Sequence, residues 1–300
     1  METDNCVVVI KETALSQSSR AASFARRGDA TAHRLIHAHD EHHRTTDTVR
    51  KSLSRRGVKF AELSTAKLST AGARRRLAEA DFIITIGGDG TALNSSHYIR
   101  EGRLLAVNSA PGDSVGHFCF ANRSDINEKL DRIFSSRLRP IKLARLEVTL
   151  DRTPVAELAL NDVLIAHDCP AATTRYIIEI GGEAEEHRSS GLWVSTAAGS
   201  TAGIKSAGGR VLRLGSRRMQ YLIRELYRER GRSYALTRGL LEEGEEILVA
   251  SKMPEGMLYI DGWRTSYRFP FGMRASIRTA ELSLNIYLTA LRAKESSRSK

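Results

Sequence analysis

The feature that most constrains the fold is an apolar segment that runs directly into a glycine-rich turn. Residues 81–91 read DFIITIGGDGT. The apolar run is typical of a buried strand in a parallel sheet, and the glycines after it let a backbone approach a phosphorylated ligand closely. Asp89 is the turn's one carboxylate, placed where a base can take a proton from a hydroxyl group. A plain tight turn in which Asp89 caps a helix is the alternative interpretation.

The pattern around this turn predicts two domains of different class. Over residues 1–137 short apolar runs alternate with helical patterns, which is typical of an α/β, Rossmann-like domain with a wound parallel sheet. Over residues 138–285 alternating or β-rich runs are separated by turns, which predicts a β-rich, β-sandwich-like domain. We expect the tail, residues 286–300, to pack back on the first domain.

Local patterns place individual elements. Residues 57–60 are predicted as the second strand, and residues 125–134 as an amphipathic helix that is capped by Ser124. Residues 219–227 carry apolar side chains at helical spacing with charges on the other side, so periodicity alone predicts a helix there.

Composition limits the partners and the compartment. The 300 residues are 41% hydrophobic and 27% charged, which is ordinary for a globular protein, and the net charge of +11 suits anionic partners. No stacking aromatics interleave with the basic runs, so we predict no nucleic-acid partner. Three cysteines without paired spacing predict neither disulfides nor a zinc site, which fits a reducing compartment. No apolar run is long enough to span a bilayer, so we predict a soluble, cytoplasmic protein without a membrane partner.

A second motif consists of small and hydroxyl residues. Residues 190–203 read SGLWVSTAAGSTAG, a strand that enters a turn with room for a flat nucleotide and with N–H and hydroxyl donors for its polar edges. A Ser/Thr-rich surface loop is the alternative. Asn161 and Asp162 stand at the edge of a β run, where an amide and a carboxylate can hydrogen-bond to adjacent ribose hydroxyls or to an adenine edge. Asn108 ends a strand close behind the glycine turn.

With these motifs in hand, the chain resembles the NAD kinase family and, within it, the plant-type NADH kinase branch. The likeness runs from about residue 58 to residue 288 and is carried by GGDGTAL, VNSAPG, GHFCFA, LNDVLIAHDCPAA, RSSGLWVSTAAGSTAG, SAGG and LYIDG, in the family's order. The resemblance implies ATP-dependent, Mg²⁺-assisted phosphorylation of the adenosine-ribose 2′-hydroxyl of NAD or NADH, which gives NADP(H). It also implies a homo-oligomer, either a dimer or a tetramer.

The resemblance assigns roles by position. Asp89 is the implied general base, and we assign no metal to protein side chains. The implied phosphate and dinucleotide contacts are Gly88, Gly90, Thr91, Asn108, Asn161, Asp162, Arg188, Ser200, Thr201 and Ala202. Lys11, Arg145 and Arg188 are candidate phosphate contacts, although each can equally be a solvated base.

Some positions depart from the commonest family pattern. Most NAD kinases have Asn-Glu where this chain has Asn161-Asp162, and a Tyr where it has Gly203. Loss of the aromatic ring at Gly203 removes a stacking surface for adenine or nicotinamide, so NADH is at least as good a substrate candidate as NAD. Relatives are extended over residues 219–227, and there we follow the resemblance rather than the helical periodicity.

Other interpretations stay open. A diacylglycerol- or sphingosine-type lipid kinase uses the same glycine turn, and a non-catalytic dinucleotide-binding protein would keep the ligand contacts without turnover. The cluster of histidines at 33, 37, 39, 42 and 43 matches nothing in the family. It is either a metal site on a helix face, with ligands four residues apart, or a solvated helix face.

Overall fold

Two units make up the part of the chain that the computed structural model describes, residues 5–25 and 30–288. The first unit extends to Ile141, four residues past the predicted boundary at residue 137. The chain returns to this unit at Leu284. Residues 286–288 of the predicted returning tail therefore belong to the first unit, while residues 289–300 lie outside the described residues. The second unit comprises the residues between, 142–283.

The first unit is a parallel sheet with helices. Its elements are β1 (Cys6–Ile10), α1 (Ala14–Gln17), α2 (Ser19–Ala25), α3 (Ala30–Arg55), β2 (Phe60–Ser64), α4 (Ala71–Glu79), β3 (Phe82–Gly87), α5 (Asp89–Ser96), β4 (Arg103–Asn108), β5 (Ala121–Asn122), α6 (Ile126–Phe134), β6 (Ile141–Leu143) and, after the second unit, β19 (Leu284–Ile286). The strands run in the order β2-β1-β3-β4-β19-β6, and β5 pairs with β4. The pairs from β2 through β19 are parallel, so the predicted Rossmann-like wound sheet is confirmed.

The strand β3 lies in the middle of this sheet and is buried along its whole length. Every residue of β3 is buried, as expected for a strand flanked by others and covered on both faces. Side chains of β3, such as Ile84, pack in one cluster with Val49 and Leu53 of α3 and with Leu130 of α6. The carboxyl ends of β1, β3 and β4 consequently lie side by side, which is where ligands bind in such sheets.

Two local predictions in this unit were wrong. The second strand lies at Phe60–Ser64, beyond the predicted residues 57–60, because Gly57 has a positive φ of 68° that ends the preceding helix in a turn. Ser124 does not cap α6, since its hydroxyl donates to Asn122 Oδ1 at 2.6 Å and Asp125 holds the cap position.

The second unit contains two antiparallel sheets. Its elements are β7 (Leu146–Leu150), β8 (Thr153–Pro154), β9 (Asp162–His167), β10 (Thr174–Ile180), β11 (Glu183–Ser189), β12 (Gly191–Ser195), α7 (Gly203–Ser206), β13 (Met219–Arg224), β14 (Arg238–Leu241), β15 (Glu246–Ser251), β16 (Gly256–Ile260), β17 (Thr265–Arg268) and β18 (Arg274–Thr279). One sheet has the order β11-β10-β15-β18-β7-β8, and the other has the order β14-β13-β12-β9-β16-β17. Their inner faces share one apolar core, so the predicted β-sandwich-like unit is confirmed.

The segment with helical periodicity is a strand. β13 pairs with β12 on one side and with β14 on the other, and five of its six residues are buried. Met219, Tyr221 and Ile223 enter the shared core in the alternation of a strand, while Gln220 is covered on the opposite face by main-chain groups of Arg210. The helical spacing arose because both faces of this strand are buried.

Among the described residues, no helix has the length and apolar character needed to cross a bilayer. The three cysteines, Cys6, Cys119 and Cys169, are all unpaired thiols.

Candidate active site

The glycine turn joins β3 to α5 at the carboxyl edge of the parallel sheet. Gly88 holds the helix cap position with extended backbone and without a side-chain cap hydrogen bond. A Cβ atom on Gly87 would lie 2.2 Å from Thr91 Oγ1, and one on Gly88 would lie 2.7 Å from Ser114 Oγ. A Cβ on Gly90 would meet no heavy atom within 4 Å, so the space beside Gly90 is open to a ligand.

Asp89 is held by a main-chain donor and does not cap the helix. Its Oδ1 accepts a hydrogen bond from the Phe118 N–H at 2.7 Å, and it is the first residue of α5, after the cap. Its Oδ2 forms no hydrogen bond with a described residue. The capping interpretation is therefore wrong, and the carboxylate is a fixed acceptor with one oxygen available to a hydroxyl group.

Thr91 and Asn108 shape the turn from within. Thr91 is 5% exposed, and its hydroxyl oxygen lies against Gly87. Asn108 ends β4 opposite Gly87, where its Nδ2 donates to the Ser114 carbonyl at 3.0 Å and its Oδ1 accepts from the Ala110 N–H at 3.2 Å. Thr91 thus packs against the turn itself, and Asn108 braces the loop of residues 110–114, whose Ser114 faces Gly88.

In the second unit, one carboxylate holds the segment that carries Asn161 and Asp162. Asp261 accepts hydrogen bonds from three consecutive main-chain N–H groups: Leu160 at 2.8 Å, Asn161 at 2.7 Å and Asp162 at 2.9 Å. The sequence motif LYIDG includes Asp261, but nothing in the motif alone indicates what this residue does. Only the fold shows that this residue fixes the start of β9.

The carbonyl side of the same segment is held by the second motif. The Asn161 carbonyl accepts from the Thr196 N–H at 2.9 Å and from the Ser195 hydroxyl at 3.2 Å. The Thr196 hydroxyl donates to the Leu160 carbonyl at 2.6 Å and accepts from the Gly199 N–H at 3.0 Å. The structure therefore brings together the two motifs that the sequence places 30 or more residues apart.

Some of the small residues after Thr196 support the backbone from the interior, and others lie at the surface. Ser200 is fully buried, where its hydroxyl donates to the Ala197 carbonyl at 2.7 Å and accepts from the Leu212 N–H at 2.9 Å. Thr201 is exposed and Ala202 is half-buried, so these two offer contact atoms. A Cβ atom on Gly203 would lie 3.2 Å from the Trp193 ring, so an aromatic ring from the preceding strand occupies the space beside this glycine, which the sequence did not reveal.

Comparison with known proteins identifies the family. No family model matches the chain. A probable NADH kinase of Oryza sativa subsp. japonica is 31% identical over 269 residues, which cover 82% of this chain and 81% of the rice protein. The chain belongs to the NAD kinase family. The NADH kinase of Arabidopsis thaliana is 32% identical over 260 residues, 79% of this chain and 80% of that protein, so the resemblance to the plant enzymes is confirmed.

A solved structure shares the fold of this family member. An NAD kinase from Archaeoglobus fulgidus, solved in complex with ATP, superposes with a TM-score of 0.69 at 19% identity over 97% of this chain and 96% of that chain. The similarity at such low identity establishes the architecture.

Asp162 of this family member is a buried carboxyl group. It is 6% exposed, and burial first, then the charge of Asp261, raises its pKa to about 8. At neutral pH the group is therefore protonated and can donate a hydrogen bond.

We expect Asp162→Asn to be more heat-stable than the wild type at pH 8. The Asp162 carboxyl ionises near its ordinary pKa of 3.8 in the unfolded chain but near 8 in the folded one. Between these values the folded state binds more protons, so its stability falls as pH rises. The variant should gain at least about 3 °C in Tm at pH 8, and the gain should vanish toward pH 4. A gain that is equal at pH 4.5, 6 and 8 in thermal melts would contradict this assignment.

Two arginines that were candidate phosphate contacts have other partners in this family member. Arg188 lies on the edge strand β11, where it pairs with Glu229 at 3.3 Å. Arg145 is fully buried, and its guanidinium donates to the carbonyls of Leu282 at 3.1 Å and Ser283 at 3.4 Å. Arg145 therefore joins main-chain segments rather than facing solvent.

We expect Arg145→Met to lower the free energy of unfolding by about 2–3 kcal/mol, because buried carbonyls lose a charged donor. The KM for ATP should stay within about twofold of the wild-type value, since no phosphate contact is lost. Denaturant unfolding and steady-state kinetics measure the two effects. A rise in KM without loss of stability would return Arg145 to the phosphate site.

The five histidines on α3 differ in exposure, and the pairs four residues apart do not form one common face. His33, His37 and His43 are exposed on α3, whereas His39 is half-buried and His42 is 3% exposed. Within residues 5–25 and 30–288, no three histidine, cysteine or acidic side chains are placed to hold a metal ion. Three of the five residues thus form a solvated face, and two face the interior.

Proposed function

We propose that this chain transfers the terminal phosphoryl group of ATP to the 2′-hydroxyl of the adenosine ribose of NAD or NADH. Its membership of the NAD kinase family supports this activity. The observation that carries the mechanism is the Asp89 carboxylate, held by the Phe118 N–H beside the open space at Gly90.

Asp89 acts as the general base in this proposal. Its Oδ2 takes the proton of the ribose hydroxyl while the oxygen attacks the phosphorus, and Oδ1 stays bound to Phe118 so that the carboxylate keeps its orientation. The N-terminus of α5 begins at this residue, and its main-chain N–H groups favour phosphate oxygens. Phosphoryl transfer needs mainly this positioning and charge stabilisation.

The dinucleotide contacts come from the second unit. Asn161 and Asp162 are held on the N–H side by Asp261 and on the carbonyl side by Thr196, so their side chains start from a fixed backbone. In its protonated form, Asp162 donates a hydrogen bond to an acceptor on the ligand. Thr201 and Ala202 add surface contacts.

The glycine turn also fits a magnesium ion carried by the nucleotide. Mg²⁺ at a nucleotide site takes most of its ligands from phosphates and water. Because Asp89 Oδ2 acts as the base, we assign the ion no protein ligand, and the open space beside Gly90 leaves room for the phosphates that would carry it. When bound, the ion neutralises charge on the triphosphate.

We also propose a compartment, an oligomeric state and a substrate preference for the enzyme. Cysteine usage supports a reducing, cytoplasmic compartment, and the family resemblance supports a homo-oligomer, either a dimer or a tetramer. The departure at Gly203 from the family's Tyr, with the Trp193 ring beside this glycine, supports NADH as at least an equal substrate. Size-exclusion chromatography with light scattering and side-by-side kinetics with NAD and NADH test these two points.

One assay tests the activity itself. Purified protein is incubated with MgATP and NAD, NADH, diacylglycerol or sphingosine, and each product is quantified. NADP or NADPH formation is expected. A phosphorylated lipid instead would support the lipid kinase, although the polar surroundings of Asn161 do not suit an apolar acceptor. Dinucleotide binding without any product would support a non-catalytic binding protein.

A further inference from the structure

The indole ring of Trp193 lies beside residues that we assign to the dinucleotide. Trp193 is the middle residue of β12 and is half-buried. A Cβ atom on Gly203 would lie 3.2 Å from its Cζ2 atom and 3.4 Å from its Cη2 atom, so the six-membered part of the ring is next to the first residue of α7. Gly203 directly follows Thr201 and Ala202, the two surface contacts of the proposed site. The ring therefore borders that site where α7 begins.

The strand register places Trp193 on the same face of its sheet as Asp162. The residues on either side of Trp193 enter the shared core, so its own side chain points to the opposite, outer face. The residue after Asp162 also enters the core, which places Asp162 on the outer face as well. Trp193 pairs with Leu164, and Ser195, two residues further along β12, pairs with Asp162. Asp162 is thus a diagonal neighbour of Trp193, and such positions are about 7–8 Å apart.

The described residues leave part of this ring uncovered. Gly203 is exposed and puts no side chain over the ring. The guanidinium carbon of Arg224 lies 6.0 Å from the ring centroid, at the outer limit of a cation–π contact, so it does not pack closely on the ring. Within residues 5–25 and 30–288, no group accepts a hydrogen bond from the indole N–H. The ring therefore offers apolar surface and a donor to a flat, polar ligand.

The tryptophan in β12 and the glycine at the start of α7 depend on each other. Most members of the family have a tyrosine at the position of Gly203. In this chain even the Cβ atom of such a side chain would lie 3.2 Å from the Trp193 ring, which is closer than ordinary van der Waals contact. The Trp193 ring thus occupies space that a side chain on residue 203 would need. An aromatic surface is kept beside Thr201 and Ala202, although it comes from a different element.

We propose that Trp193 is a specificity-determining residue of the dinucleotide site, where its ring stacks on one of the two flat bases of NAD or NADH. The inference rests on the proposed kinase function and adds a residue of β12 to the site. Adenine and nicotinamide share the chemistry that an indole ring recognises, a planar π system with polar edges. The experiments below distinguish the two bases.

Trp193→Leu should raise the KM for the dinucleotide about tenfold, because the base loses its stacking partner. Both kcat and the KM for ATP should stay within about twofold of the wild-type values, since no phosphate contact is lost. Trp193→Phe keeps an aromatic ring and should change the dinucleotide KM by less than about threefold. The matched control is Trp263→Leu, which removes a 74% exposed tryptophan from the turn after β16 and should behave like the wild type. An unchanged dinucleotide KM in Trp193→Leu would overturn the assignment.

A rescue experiment separates stacking from a purely structural role. Trp193→Leu makes room beside Gly203, so the double variant Trp193→Leu/Gly203→Tyr can present an aromatic ring from α7, as most NAD kinases do. Its dinucleotide KM should return to within about threefold of the wild-type value. Gly203→Tyr alone should not lower this KM, because the new side chain meets the Trp193 ring. A double variant that regains the wild-type Tm without regaining the KM would show that Trp193 only packs, and would overturn the proposal.

Fluorescence tests the contact without turnover. Trp193 and Trp263 are the two tryptophans of the sequence, so Trp263→Phe leaves one indole as the reporter. NAD does not absorb indole emission, so quenching by NAD requires contact, and we expect the emission to fall as NAD binds. ADP-ribose and nicotinamide mononucleotide are then compared, and the fragment that quenches carries the stacked base. NAD binding in calorimetry without quenching would overturn the proposal. A change in emission that follows protein concentration rather than NAD would assign the ring to a contact between copies, with the same consequence.

The stacking contact and the kinase can fail separately. Formation of NADP(H) with an unchanged dinucleotide KM in Trp193→Leu would overturn the contact and leave the function intact. Quenching of Trp193 by NAD, in a protein that forms no NADP(H), would support the contact and refute the proposed function. If Trp193→Leu fails to fold, the fluorescence experiment still decides, because it keeps Trp193 in place.

Discussion

Replacing Asp89 with Asn is expected to lower kcat for NADP(H) formation roughly a hundredfold or more, because the variant loses the general base. The amide is nearly the same shape as the carboxylate, and its oxygen can still accept the Phe118 N–H that Asp89 now accepts at 2.7 Å. The turn should therefore keep its structure, and the KM values for ATP and the dinucleotide should change by less than about threefold.

The matched control for this variant is Asp81→Asn. Asp81 is an exposed carboxylate immediately before β3, so its substitution removes the same charge outside the turn. Steady-state kinetics with equal amounts of folded protein compare the three forms. Turnover by Asp89→Asn at the rate of the wild type would refute the role of Asp89 as base, whatever the behaviour of the control.

Replacing Gly199 with Ala is expected to reduce kcat/KM for the dinucleotide at least about tenfold, since displacement of a binding group by a fraction of an ångström weakens its contacts. The new Cβ atom would lie 2.1 Å from the Asn161 carbonyl oxygen and 2.6 Å from its Cα, so the main chain of Asn161 must move. The collision should also cost about 1–3 kcal/mol of stability.

Gly215→Ala is the control for this second substitution. A Cβ atom on Gly215 would meet nothing within 4 Å, and its φ is not in the left-handed region, so the same change of residue type should be close to neutral. Thermal melts and dinucleotide titrations of both variants measure the effect. Equal affinity and stability in the two would show that Gly199 does not support the Asn161 segment.

The sequence predicted the parts of the fold and site that depend on residues close together in the chain. The apolar run of β3 and the glycines after it predicted both a buried parallel strand and the phosphate turn, because each property depends on neighbouring residues. Across residues 219–227 the family resemblance predicted an extended segment where periodicity predicted a helix. The strand β13 is buried on both faces, so Leu222 on the outer face is apolar as well and masks the alternation of Met219, Tyr221 and Ile223.

Other parts of the site depend on contacts between distant residues. Asp261 reaches the N–H groups of residues 160–162, about one hundred positions earlier, and no spacing rule connects them. Arg145 looked like an available cation, but its burial depends on carbonyls at residues 282 and 283. The burial of His42 likewise depends on how α3 packs in the fold, which the histidine spacing did not reveal.

The late return of the chain to its first sheet has a consequence for biosynthesis. β4 gains its neighbour β19 only when residues 284–286 have been made, and Tyr287 then packs on Phe82 and Phe120. During translation the entire second unit is made while Arg103 and Leu104 of β4, which β5 does not cover, are still open to pairing with other chains. A nascent polypeptide of this topology has to delay completion of its first unit until the whole second unit has been made, and chaperone dependence should be greatest in that interval.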